Sequence, residues 1–94
     1  MSLNRYAKQR DANEGPIVDA LEQVGARVYR LDTPFDLLVW YRGTWFALEV
    51  KLPFGPKGGD PSKLEPSQRE LMLACPGGLH IVRDPRAALR AVGL

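Results

Sequence analysis

Apolar and polar positions follow two different rhythms along this chain. Ile17, Val18, Leu21 and Val24 recur at spacings of three and four, which predicts a helix with one buried stripe. Asn13 stands before it as an N-cap and Pro16 falls in the first turn, where its missing N–H is harmless. Gly25 closes it as a C′ residue. The period then shortens to two. Residues 26–32 (ARVYRLD) alternate and are rich in β-formers, so they predict a strand, which Thr33-Pro34 breaks. Residues 35–41 and 44–52 predict two further strands. Arg42-Gly43 between them suits a two-residue hairpin loop, because glycine accepts positive φ. Residues 52–63 are dense in Gly and Pro and predict a loop. Helical spacing returns over 64–75, with Glu65 or Ser67 near the start, and Cys75-Pro76-Gly77-Gly78 ends it. Residues 79–84 (LHIVRD) predict a fourth strand, after which Asp84 caps a short helix with Pro85 in its first position. The expected order is α-β-β-β-α-β-α, an α/β fold with residues 1–12 as a loose arm.

Composition narrows this picture modestly. The 94 residues make one domain near the lower limit for a self-sufficient core, so a partner that adds burial is expected. The net charge of +2 permits a polyanionic partner without demanding one. The single cysteine, Cys75, excludes an intrachain disulfide framework. With no long apolar run and no signal-type N-terminus, a reducing, cytoplasmic setting is expected.

Charge inside the strands changes the picture more. With Arg42-Gly43 as the loop, paired residue numbers sum to 85, and Asp36 falls opposite Glu49. Facing Cβ atoms in such a pair lie about 4.5–5.5 Å apart, where two like charges repel. A divalent cation between them removes the objection. Lys51, two positions past Glu49, projects from the same face. Two carboxylates and an ammonium on one sheet face suit a hard cation and a phosphate. The plainer alternative is a solvated strand face with Asp36 at a strand start.

Other polar residues carry weaker signals. Glu14 shares the inward side of Ile17 and Val18; it is either an acid placed on the helix dipole or a group facing the same site. Gln68 reads from position alone as a surface glutamine. His80, the only histidine, reads as structural, and Cys75 as a small core residue. Trp40 and Trp45 can stack on bases, but near a hairpin turn they more often cover a core edge or a subunit interface. The stretch FGPKGGDPS lacks the Gly-Lys-Ser/Thr ending of a P-loop.

Taken together, Pro34-Phe35-Asp36 followed by Glu49-Val50-Lys51 resembles the PD-(D/E)xK nuclease signature, with one residue between the proline and the aspartate. Leu64 to Arg69, then His80-Ile81-Val82-Arg83 and a last helix, resemble the VRR-NUC branch of that superfamily, although Asp84 stands where the naming triplet has its second arginine. The likeness runs from Asn13 onward. It implies a restriction-endonuclease-like α-β-β-β-α-β core with a mixed four-stranded sheet and a short C-terminal helix. It further implies a small phage- or bacterial-type homodimeric endonuclease that uses Mg²⁺ or Mn²⁺ to cut DNA, branched or four-way DNA included. Carried over, Asp36, Glu49 and the Val50 carbonyl would bind metal, and Glu14 would hold metal-bound water. Lys51 would activate water and offset charge, with Gln68 positioning it. Lys57, Lys63 and Arg69 would meet the DNA backbone. The rivals are a non-catalytic nucleic-acid-binding module, an RNA-cleaving enzyme of the same fold, and a structural subunit whose carboxylates face solvent.

Overall fold

The computed structural model describes residues 11–52 and 65–94. Nearly all of the expected arm (1–12) and of the Gly/Pro-rich loop (52–63), including Lys57 and Lys63, lie outside the described residues. The elements are α1 (Glu14–Gln23), β1 (Arg27–Arg30), β2 (Leu37–Tyr41), β3 (Thr44–Val50), α2 (Pro66–Ala74), β4 (Leu79–Val82) and α3 (Pro85–Ala91), in the order that periodicity predicts. They form a mixed four-stranded open sheet in the order β1-β2-β3-β4. The first two pairings are antiparallel and β3 runs parallel to β4. A parallel neighbour needs a crossover connection, and the chain from β3 to β4 supplies one that carries α2.

The hairpin sets the register. Arg42 and Gly43 both adopt positive φ, 51° and 79°, as a type I′ turn requires. Tyr41 then pairs with Thr44, and the ladder runs to Leu37 opposite Leu48. Because side chains alternate, Leu37, Val39 and Tyr41 share one face with Phe46, Leu48 and Val50. The parallel register adds Val82 beside Val50. Onto this face α1 brings Ile17, Val18 and Leu21, and α3 brings Ala88 and Val92, closing one continuous core. Ile17, Leu21, Leu37 and Leu48 are fully buried, and burial of each such side chain contributes about 1.5–3 kcal/mol.

Local signals at the helix ends agree, with one exception. Asp84 Oδ1 accepts the Ala87 N–H at 2.7 Å, capping α3 behind Pro85. Gly25 takes φ 92° just beyond α1. Asn13 makes no side-chain cap to α1; its amide is used elsewhere, as described below.

Two expectations are corrected here. The strands are shorter than 35–41 and 44–52: β2 begins at Leu37 and β3 ends at Val50, although the Leu31 N–H still donates to the Asp36 carbonyl at 2.8 Å, one pair beyond Arg30 and Leu37. Cys75 is exposed, not core: it ends α2, whose single buried residue is Gln68. The aromatics around the hairpin divide between the two faces of the sheet. Tyr41 is buried and Phe46 packs on the core, whereas Trp40 and Trp45 are exposed on the opposite face. No helix among the described residues is long and apolar enough to cross a membrane.

Candidate active site

The end of β3 is fixed from two sides. The Lys51 N–H donates to the Val82 carbonyl at 3.0 Å, extending the parallel pairing by one residue. The Lys51 carbonyl accepts from Asn13 Nδ2 at 2.9 Å, and the same nitrogen donates to the Arg83 carbonyl at 2.8 Å. An amide NH₂ carries two donors, so one Asn side chain bridges two carbonyls. This joins the start of α1 to the ends of β3 and β4. Sequence reasoning read Asn13 only as a cap; nothing local signals a bond to residues so distant in the chain.

The two strand carboxylates lie at this end. Asp36 falls one position beyond the last registered pair. Its Oδ2 reaches past Glu49 to accept the Val50 N–H at 2.8 Å, a buried bond in which the side chain stands in for a ladder carbonyl. Glu49 lies on the face opposite the core, and Lys51 Nζ stands 3.5 Å from its Oε2. Both carboxylates are nearly inaccessible, Asp36 at 5% and Glu49 at 4%. A solvated strand face does not describe them, since charge withdrawn from water is costly unless paired or hydrogen-bonded.

Gln68 is buried, which overturns its reading as a surface residue. Its Oε1 accepts the Glu65 N–H at 3.1 Å, while the Glu65 side chain accepts the Gln68 N–H. This reciprocal capping box starts α2 behind Pro66. Glu49, Lys51 and Gln68 line one cleft of about 530 Å³, together with Thr33, Pro34 and Ser67. Asp36 and Glu14 are not among its lining residues. Glu14 belongs to the helix on the core face, where Arg30 Nε donates to its Oε2 at 3.2 Å. It stands next to Asn13 and so near the clamped end of β3. Arg69 is exposed on α2.

The buried polar side chains among the described residues are therefore Glu14, Asp36, Glu49 and Gln68. All four belong to the set singled out from the sequence. Each has a protein contact that accounts for it locally: Arg30, the Val50 N–H, Lys51 and the Glu65 N–H respectively.

Among the described residues no group of three or more His, Cys, Asp or Glu is arranged to hold a metal ion. The donors present are two carboxylates and nearby backbone carbonyls, all hard oxygen ligands. Mg²⁺ typically takes one or two carboxylates and completes its shell with water and substrate phosphate, so this donor set fits it. Comparison with protein-family models, with curated proteins and with solved structures gives no match for the chain.

Proposed function

We propose that this protein is a divalent-metal-dependent endonuclease that hydrolyses DNA phosphodiester bonds and selects branched DNA by structure. The observation that carries the reading is the burial of Asp36 and Glu49 at the end of β3, with Lys51 beside them on the wall of an open cleft. Stability alone does not call for an acid at position 36, since a neutral amide there would also accept the Val50 N–H. The mixed sheet and the element order are also what the likeness to PD-(D/E)xK nucleases implies, and a restriction-endonuclease-like core is part of the proposal.

When bound, Mg²⁺ or Mn²⁺ supplies a nucleophilic water at neutral pH and neutralises charge on the phosphate. Asp36 and Glu49, with the Val50 carbonyl, are the groups that would hold it. The chain's own residues do the rest. Lys51 brings an ammonium to the cleft beside Glu49, where it offsets the negative charge that grows on the phosphate in the transition state. The clamp on both sides of the Lys51 backbone limits where that ammonium can go. Gln68 fixes the start of α2 on the cleft wall. Glu14 would order water near the same end of the sheet. Among the described residues no module for reading base edges is evident, which favours recognition of DNA shape.

The deciding experiment is cleavage of end-labelled linear, flapped and four-way DNA, with Mn²⁺ and with EDTA. Metal-dependent cutting that is fastest on branched DNA is expected. No cutting of any substrate in Mg²⁺ or Mn²⁺ overturns the reading.

A further inference from the structure

The sheet face that carries Glu49 has a second feature at its other end. Trp40 and Trp45 pair directly across the hairpin, with ring centroids 4.8 Å apart and planes tilted by 56°. Tyr29 on β1 stands 6.3 Å from Trp45. The three are exposed, at 39%, 54% and 48% respectively, and none belongs to the core. The helices α1 and α3 cover the other face, and α2 buries only Gln68 at its start. Arg27 pairs with Trp40, so its exposed guanidinium shares this face. Among the described residues that the register places at this end of the face, Arg27 is the charged one. Trp45 precedes Glu49 by four positions on β3, which at the usual strand rise is about 13 Å on the same face.

We propose that Tyr29, Trp40 and Trp45 form a stacking platform for unpaired bases, with Arg27 meeting a neighbouring phosphate. A single-stranded segment would then lie along the face from the hairpin tip toward Glu49 and Lys51. Only that direction rests on the nuclease reading; the platform itself does not. Aromatic rings give base stacking without sequence preference, and one cation among them suits a polyanionic strand. A second copy of the chain seated on the same rings is the competing occupant, and sedimentation distinguishes it.

The test uses an oligothymidylate of about ten nucleotides in EDTA, read by quenching of tryptophan fluorescence. Saturable quenching is expected, and Trp45→Ala should weaken binding about 5- to 150-fold. Trp45→Phe, which keeps a stacking ring, should recover most of the affinity. Arg27→Ala should lower the slope of log affinity against log salt by about 0.7. No quenching, or equal losses for Trp45→Ala on single strands and on blunt duplex, overturns the platform. So does a wild-type dimer in sedimentation that Trp45→Ala dissociates. Because the binding assay contains no metal, it is independent of cleavage. Trp45-dependent binding without any cutting in Mn²⁺ leaves the platform standing and removes the nuclease reading; the converse removes the platform alone.

Discussion

The carboxylate of Asp36 holds the backbone N–H of Val50 at 2.8 Å, across 14 positions of sequence. A side chain just before one strand thereby ties down the last residue of the next, on the edge of the cleft. Asp36 has a structural task and a proposed chemical one, and the two can be separated.

Asparagine at position 36 keeps an oxygen able to accept the Val50 N–H and removes the charge. Asp36→Asn should therefore stay within about 1 kcal/mol of wild type in urea unfolding. Asp36→Ala, which strands a buried N–H, should lose about 1–3 kcal/mol. Both should lose metal-dependent cleavage. Full activity in Asp36→Asn would remove Asp36 from the metal site.

Lys51→Ala should impair chemistry and spare binding. The backbone bonds to Val82 and Asn13 do not depend on the side chain, so the strand end stays in place. Loss of one electrostatic stabiliser of a transition state typically costs about 10²–10³ in rate. Single-turnover cleavage in Mg²⁺ should fall by that order, while DNA affinity in Ca²⁺ changes little. Equal losses in both would make Lys51 a docking residue.

Gln68 offers a different separation. Gln68→Ala opens the capping box and should destabilise the protein by about 1 kcal/mol. Gln68→Glu restores an acceptor for the Glu65 N–H and should recover that stability. If cleavage also recovers fully, Gln68 acts through α2 alone. If cleavage stays low while stability returns, its amide works on Lys51 or on water in the cleft.

Asn13 should respond in the order opposite to a helix cap. Aspartate caps a helix as well as asparagine does. Here Asn13 Nδ2 donates to the carbonyls of Lys51 and Arg83, and a carboxylate would present oxygen to both. Asn13→Ala should cost about 1–3 kcal/mol through lost hydrogen bonds, and Asn13→Asp should cost more. Thermal unfolding of the two variants distinguishes them; an Asn13→Asp protein as stable as wild type would mean that the bridge contributes nothing to stability.

Much of this was legible in the chain because local rules converge. Arg42-Gly43 implied a two-residue hairpin loop, and the loop implied the register from Tyr41–Thr44 to Leu37–Leu48. Acids set among apolar strand residues marked Asp36 and Glu49 as unusual before their burial was known. The same alternation separates Trp40 and Trp45 from Tyr41 and Phe46. Periodicity failed on α2, where Leu73 is 84% exposed and Cys75 lies at the surface. Spacing tells which residues share a face and is silent on whether anything covers that face. The surface reading of Gln68 and the cap reading of Asn13 failed for a related reason. The local sequence suggests a cap, but the burial of the one and the long-range partners of the other exist only after folding.

The Asn13 bridge also has a meaning for the order of folding. The strand hairpin can close early, since its contacts are local. The bond from Asn13 to Arg83 closes a span of 70 positions, and the one to Lys51 a span of 38. Loop closure of that range delays the event that secures Lys51 until α1 and β4 have found the sheet. A chain lacking β4 would carry both strand acids with the lysine beside them unanchored. The proposed hydrolytic competence would thus arise at the last step of folding, which pulse-labelled hydrogen exchange at the Lys51 amide would record as late protection relative to the β2–β3 hairpin.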